Sequence, residues 1–297
     1  MEKHVRQTLF VKDIHKTLAY LKLARLHRPY AIWILVFPAW WGLVLTSPTL
    51  PSLRMFALFA LGAVFARSAG CIYNDIIDKD FDVQVRRTAL RPLGIGEVSL
   101  RGAWIFLVLL LGGAGGVLFA LPSQVIFTGF ITLCLIGAYP WMKRLTYWPQ
   151  IFLGITYNMG LIMGELTFTP FLTLPLILFY GGAILWTLGY DTIYALQDRE
   201  DDLRIGVKSS AIVVFPFLTP FLIAVYGGAL LLWGVAAELL HFGIVYWMAW
   251  GLVALHFAWQ IVSLKKQDAT NCLARFNANS LVGLLLFLGL VFSRLIN

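Results

Sequence analysis

Apolar residues run through this chain in long blocks, and the polar residues collect between them. Nine blocks stand out, at about 29–47, 54–73, 101–120, 123–141, 149–166, 171–190, 211–238, 243–262 and 278–296. Each approaches the ~20 apolar residues that a helix needs to cross a bilayer. The seventh is long and carries Pro216 and Pro220 near its start, which predicts a separate short helix there. Ahead of the first block, Ile14, Leu18 and Leu21 recur at helical spacing, with Lys12, Lys16 and Lys22 elsewhere around the helix. That pattern predicts an amphipathic helix lying on the membrane surface. Residues 1–28 are therefore a basic amphipathic segment, and 29–297 a single transmembrane domain.

Composition agrees. Of the 297 residues 60% are hydrophobic and 13% charged, against about a quarter charged in a soluble domain. The fold class expected is an all-α integral membrane protein. Cys71, Cys134 and Cys272 lie in or beside apolar blocks, which argues for small core residues and against a disulfide framework.

The net charge of +8 is topology, not a nucleic-acid footprint. With nine spans and the N-terminus inside, every Lys and Arg except Arg54, Arg67 and Arg294 falls on one side. By the positive-inside rule the N-terminus is cytoplasmic and the C-terminus outside. The N-terminal segment has no short apolar core followed by a small-residue cleavage site, so no cleaved signal is expected. Glu2, Asp13 and the lack of serine argue against a mitochondrial transit peptide. The bacterial inner membrane is preferred to the mitochondrial inner membrane.

Two acidic stretches carry the chemistry. Asn74, Asp75, Asp78 and Asp82 form N-D-x-x-D-x-x-x-D at the end of the second block. Positions three and four apart share a helical face, so Arg67, about 10 Å deeper, joins the same stripe. Asp191, Tyr194, Asp198 and Asp202 form a second stripe at the end of the sixth block. Each stretch is followed by a loop bearing Arg and Gly, RPLGIG (Arg91 to Gly96) and RIGVKS (Arg204 to Ser209), which suggests an internal repeat. A solvated acidic loop capping a membrane helix would explain either stretch alone. Together, facing one another, they would line a cavity with carboxylates. Carboxylates so gathered need cations, and hard oxygen donors suit Mg²⁺, which also takes phosphate oxygens. Arg67, Lys143 and Arg144 could add charge. For Arg67 the plain alternative is neutralisation of Asp75, and for Lys143 and Arg144 it is the ordinary cationic loop. Glu165 and Glu238 are read as interfacial groups, Asn158 as interhelical glue or a cavity contact, and most of the eleven Trp as interface belt.

The acidic motif followed by VRRTALRPL resembles the UbiA superfamily of intramembrane prenyltransferases. RLHRPYAIWILVFPAWW (Arg25–Trp41), YPWMKRLTYWPQIFLG (Tyr139–Gly154), YDTIYALQDREDDLRIGVKSSAI (Tyr190–Ile212) and NANSLVGLLLFLGL (Asn277–Leu290) extend the likeness over essentially the whole chain. The Lys-Arg pair and the second acidic run resemble the 4-hydroxybenzoate polyprenyltransferase branch. The resemblance implies nine transmembrane helices around a central cavity, with short cytoplasmic capping helices. It implies transfer of a polyprenyl group from polyprenyl diphosphate to the carbon ortho to the hydroxyl of 4-hydroxybenzoate, early in ubiquinone synthesis. Mg²⁺ would be held by Asp75, Asp78, Asp82, Asp198 and Asp202. Arg67 and Lys143 would contact the diphosphate, and Asn74 would ligate a metal or bond a phosphate. Asp198 or Asp191 would act as base. Tyr194 would line the substrate site. Arg144 would pair with the benzoate carboxylate, with Arg25 and Arg28 next in line. Two rivals stand: a sister prenyltransferase acting on another aromatic or a tetrapyrrole, and a transporter. Against the transporter, the acids sit at helix ends on one side, not at the midplane.

Overall fold

A computed structural model describes residues 15–47 and 49–296. Ile14 and Lys12, assigned to the amphipathic segment, lie outside the described residues. Helix α1 covers residues 15–23, and α2 is Pro29–Leu45. Then come α3 (Leu53–Ile77), α4 (Lys79–Asp82), α5 (Leu100–Leu118) and α6 (Ser123–Leu145). They are followed by α7 (Pro149–Tyr157), α8 (Met159–Glu165), α9 (Leu174–Ala195) and α10 (Arg199–Ile205). The chain ends with α11 (Ser210–Val214), α12 (Leu218–Leu239), α13 (Ile244–Ser263) and α14 (Ala269–Ile296). No strand occurs among the described residues.

Helix ends follow local chemistry. Ser52, Ser99 and Thr173 cap α3, α5 and α9 by accepting from the N–H of Met55, Gly102 and Leu176. The proline-bearing seventh block does begin separately: α11 leads through the 3₁₀ turn Phe215–Phe217 into α12.

Seven described helical segments are long and apolar enough to cross a membrane. The other two expected spans differ. The first is the 17-residue apolar helix α2. The fifth is broken into α7 and α8 at Asn158, whose Nδ2 donates to the Gly154 carbonyl at 2.7 Å and to Thr187 Oγ1 at 2.9 Å. Asn158 is thus interhelical glue: its amide replaces backbone bonds that the break releases, and ties α7 to α9. The expected short capping helices are present at the charged end as α4, α10 and α11.

The interior is set by close backbone approach and by aromatic packing. Gly160 and Gly164 form G-x-x-x-G on α8 and lie against α2. A Cβ at Gly164 would stand 2.6 Å from the Leu43 nitrogen, and one at Gly42 only 2.0 Å from the Leu161 carbonyl oxygen. Three tryptophans expected at the interface are instead fully buried. Trp41, Trp186 and Trp233 pack on one another, and their N–H groups donate to the Gly283 carbonyl, Asn279 Oδ1 and the Phe179 carbonyl. Glu165, expected as an interfacial group, is also fully buried, and accepts from Thr173 Oγ1 at 2.6 Å. The three cysteines are free.

These contacts leave a cavity of about 1070 Å³ open at the charged end and bounded mainly by α2, α3, α5, α6, α7 and α9. Helix α1 packs beside it through Ala19 and Leu23, against Ala69 and Ile72 of α3 and Ala103 and Leu107 of α5, while Leu18 and Leu21 stay exposed.

If backbone contact between α2 and α8 organises this interior, Gly164→Leu should abolish most of the folded, monodisperse protein recovered in detergent. Gly227→Leu, at an exposed helical position where a Cβ meets nothing within 4 Å, should be tolerated. Equal recovery of the two variants in size-exclusion profiles would count against it.

Candidate active site

The two acidic stretches end helices that face one another across the cavity mouth. Helix α3 carries Arg67, Asn74 and Asp75, then breaks at Asp78, and α4 ends at Asp82. Helix α9 carries Asp191 and Tyr194, then breaks, and α10 carries Asp201 and Asp202. Arg67, Asn74, Asp75, Asp82, Asp191, Tyr194, Asp198 and Asp202 all line the cavity, as do Arg25 and Lys143. The loops after the two stretches each hold a glycine in the left-handed region, Gly96 at φ +79° and Gly206 at φ +75°.

Buried carboxylates here are held by cations. Arg25 Nη2 donates to both oxygens of Asp75 at 2.8 Å, and Arg91 Nη1 to Asp75 Oδ1 at 2.9 Å and to Asp82. Lys143 Nζ is 2.5 Å from Asp78. Arg87 reaches from the first loop to the second stretch. Its Nε donates to Asp198 Oδ1 at 2.8 Å, its Nη2 to Oδ2 at 2.5 Å, and its Nη1 to the Tyr194 hydroxyl at 2.8 Å. Asp201 accepts from the Arg86 backbone N–H at 2.9 Å, which docks the loop on α10. Arg25 adopts φ +58°, a conformation costly for a residue with a Cβ, while its guanidinium meets Asp75.

Arg144 is placed differently. It does not line the cavity. Its Nη2 donates to the Ile77 carbonyl at 3.2 Å and to Asp78 Oδ1 at 3.4 Å, with the guanidinium over Trp141 and Phe81. Asp78, itself fully buried, is likewise outside the lining and held between Lys143 and Arg144. Arg67 is only 8% exposed, and its Nε and Nη1 have no hydrogen-bond partner. It does not neutralise Asp75, which takes Arg25 and Arg91.

Sequence reasoning missed Arg87 and Arg91, the cations that bind the acidic stretches together. Their signal was present in VRRTALRPL: three arginines immediately after the carboxylates, in a loop too short to leave them. Tyr139 and Tyr157, which line the cavity, were also missed, because single tyrosines in apolar blocks look like packing.

The donor set fits a hard divalent cation, since it consists of carboxylate oxygens and the Asn74 amide. Among the described residues the carboxylates of Asp191 and Asp202 have no hydrogen-bond or ion-pair partner. Among the described residues no three carboxylates are close enough to share one ion, because arginines stand between them. A cation here would complete its coordination with ligand oxygens or displace a guanidinium.

Burial pushes Asp82 up to about 6, against the pull of Arg91, and pushes Asp202 up to about 7, with Asp198 adding repulsion. Unfolded aspartates titrate near ~4, so the folded state holds these protons more tightly and its stability falls as pH rises from about 4 to 7. A divalent cation favours the ionised form and reverses that loss. Mg²⁺ should therefore raise the thermal midpoint of the detergent-solubilised protein more above pH about 7 than below about 6. A pH-independent shift would argue against these aspartates as ligands.

The UbiA prenyltransferase family model matches residues 35–290. The chain is 35% identical over 272 residues to a 4-hydroxybenzoate octaprenyltransferase of Pseudomonas aeruginosa (strain UCBPP-PA14), covering 92% of each. It is 41% identical over 282 residues to the mitochondrial 4-hydroxybenzoate polyprenyltransferase of Bos taurus, covering 93% of this chain and 75% of that one. Among solved structures, the apo UbiA homolog from Aeropyrum pernix K1 superposes with TM-score 0.77 at 25% identity, covering 89% of this chain and 98% of that one. The UbiA homolog from Archaeoglobus fulgidus bound to GPP and Mg²⁺ shares the fold, with TM-score 0.70 at 18% identity over 93% of this chain and 99% of that one. With the family model spanning most of its length and relatives above the 30% level along nearly all of it, this multi-pass membrane chain belongs to the UbiA prenyltransferase family.

Proposed function

We propose that the chain transfers a polyprenyl group from polyprenyl diphosphate to the carbon ortho to the hydroxyl of 4-hydroxybenzoate, a step of ubiquinone synthesis. The observation that carries this reading is one cavity with two unlike parts: a cation-bound aspartate mouth, and an apolar arm between α3, α5 and α6. A diphosphate with a long hydrocarbon tail matches both. The names of the relatives supply the acceptor class.

Arg25, Arg87, Arg91 and Lys143 surround the place where the diphosphate head would lie. When bound, Mg²⁺ supplies further positive charge to the leaving group, held by Asp75, Asp82, Asp198 and Asp202, with Asp78 reached only if Lys143 and Arg144 release it. The allylic C–O bond breaks and pyrophosphate leaves with the electron pair. Charge fixed in advance around a departing anion is usually the largest catalytic contribution. The allylic cation is attacked by the ring carbon ortho to the phenol oxygen, a new C–C bond forms, and that carbon then loses its proton. Asp191 lines the cavity, its carboxylate unengaged among the described residues, and is our choice of base over Asp198, which Arg87 already engages. Tyr139, Tyr157 and Tyr190 wall the same region and exclude water from the cation.

The acceptor carboxylate we assign to Arg67, whose buried guanidinium has free N–H groups in the cavity. Arg144 is set aside for this role because Asp78 and the Ile77 carbonyl occupy it. We place the charged end at the cytoplasmic face of a bacterial inner membrane, on the distribution of Lys and Arg.

The test is product mass spectrometry with labelled 4-hydroxybenzoate and prenyl diphosphate, beside naphthoate and haem acceptors. Transfer only to one of the latter would make this a sister enzyme. Asp75→Asn and Asp202→Asn should each slow transfer to every acceptor by roughly 10²–10³, about 2.7–4 kcal/mol. Arg67→Gln should instead raise the Michaelis constant for 4-hydroxybenzoate, leave that for prenyl diphosphate nearly unchanged, and abolish the preference over a carboxylate-free phenol. A raised prenyl diphosphate constant alone would move Arg67 to the phosphate side.

A further inference from the structure

Glycine inside a helix costs about 1 kcal/mol relative to alanine, so each one needs a reason. Most here have one. Gly42 and Gly164 admit backbone, and at Gly182 and Gly189 a Cβ would strike Trp233 or Tyr226. Gly115, inside α5, has no such neighbour: a Cβ there meets nothing within 4 Å. Gly115 nevertheless lines the cavity. Gly112 and Gly116 on the same helix are equally uncrowded, but they are exposed on its outer side and do not line the cavity.

Its depth can be read from the packing of α5 on α3. A Cβ at Gly62 would touch Val117 at 3.3 Å, and one at Gly113 would touch Phe65 at 3.1 Å. Gly115 is therefore level with residues 63–64 of α3, about 17 Å along the helix from Asp75 at the usual rise. Beyond it the lining continues with Leu58, Phe59, Val117 and Leu118. Above it, on the same stretch of α3, stands the almost fully buried guanidinium of Arg67, whose Nε and Nη1 have no hydrogen-bond partner. That marks where the charged head site ends and the apolar arm begins.

We propose that Gly115 determines which prenyl chain lengths the enzyme accepts, by keeping the lower arm open to the tail; this rests on the prenyl-transfer reading above. A short donor such as geranyl diphosphate ends above Gly115. A long polyprenyl chain must pass it. A side chain at this position therefore blocks long donors and spares short ones.

The experiment uses the full chain in membranes, with 4-hydroxybenzoate fixed and the donor varied from geranyl through farnesyl to long polyprenyl diphosphates. In Gly115→Leu the ratio of kcat/KM for long donors to that for geranyl should fall about tenfold or more, a change that a few methylenes in an apolar pocket can produce. The 4-hydroxybenzoate Michaelis constant should stay near that of the wild type. Gly116→Leu controls for a bulky residue on the same helix and should keep the wild-type length profile. An equal loss with all donors, or an unchanged profile in folded Gly115→Leu, overturns the proposal. Should Gly115→Leu fail to fold, Gly115→Ala decides: a lowered ratio supports the assignment, an unchanged or raised one overturns it. A wild-type protein that prenylates no aromatic acid from any donor would instead overturn the reaction assignment itself, and is detected before any variant is compared.

Discussion

Carboxylates buried at the ends of membrane helices must be neutralised, and the structure is arranged around how this chain does so. Asp75, Asp78 and Asp82 are each buried, and each is met by a cation from another segment: Arg25 from the turn before α2, Arg91 from the loop after α4, Lys143 from the end of α6. Taking charges out of water costs several kcal/mol per ion, and good pairing offsets it without much surplus. The ion pairs are therefore weak evidence of stability. They are strong evidence of position: Asp75 is satisfied only when α3, the turn holding Arg25 and the loop holding Arg91 meet, and Asp78 only when α3 meets the end of α6. Arg87 extends the same logic across the cavity by joining the loop of the first half to Asp198 and Tyr194 of the second.

The apolar part of the molecule supplies the frame that makes such meetings possible. Helices α2 and α8 touch backbone to backbone at Gly42, Gly160 and Gly164, and Asn158 absorbs the break between α7 and α8. A buried polar set ties α9, α12, α13 and α14 together. Asn279 accepts from Trp186 and exchanges bonds with Gln260, which accepts from Tyr226. In lipid such groups have no water to fall back on, so a satisfied network fixes helix registers as well as holding them. The α9 register is the one that aims Asp191 and Tyr194 into the cavity.

What was legible in the sequence follows from this division. Periodicity and length located the long helices to within about five residues, because apolar blocks in a bilayer have one structural outcome, except that α14 begins at Ala269, nine residues before the expected block at 278, through the polar turn that carries Asn271, Arg275 and Asn277. They did not reveal the break at Asn158, since a single amide in an apolar run reads equally as glue or as a ligand contact. The acidic stripes were legible because spacing of three and four fixes a face, and, Asp78 apart, both stretches deliver their expected carboxylates to one cavity. The partners were less so. Which arginine meets which aspartate depends on loop paths between residues more than 100 positions apart, as with Arg87 and Asp198. Arg144 was legible as a cation near the site, but its direction was not. That was decided by Asp78, which turns inward at the end of α3 and draws the guanidinium with it.

The same division explains why one cavity can serve a reaction with two incompatible demands. Ionisation of an allylic diphosphate needs dense, fixed charge at the leaving group, whereas the cation it creates needs surroundings that neither solvate nor trap it. Dense charge attracts water, and water would consume the cation. Here the charge is confined to the ends of α3, α6 and α9 and their loops, and Asp75, Asp78, Asp82 and Asp198 are already paired before any ligand arrives. The rings of Tyr139, Tyr157 and Tyr190 lie deeper, and the walls of the arm beyond them are uncharged, made of aliphatic residues, glycines, Phe59, Phe130 and Thr132. Only Arg67 breaks that pattern, with a guanidinium sunk about two helical turns below the aspartates. A buried cation with no carboxylate against it among the described residues is costly for a protein to keep. Its position at the boundary between charged mouth and apolar arm is where an aromatic acid must lie if its ring is to meet the allylic carbon while its carboxylate stays out of the hydrocarbon.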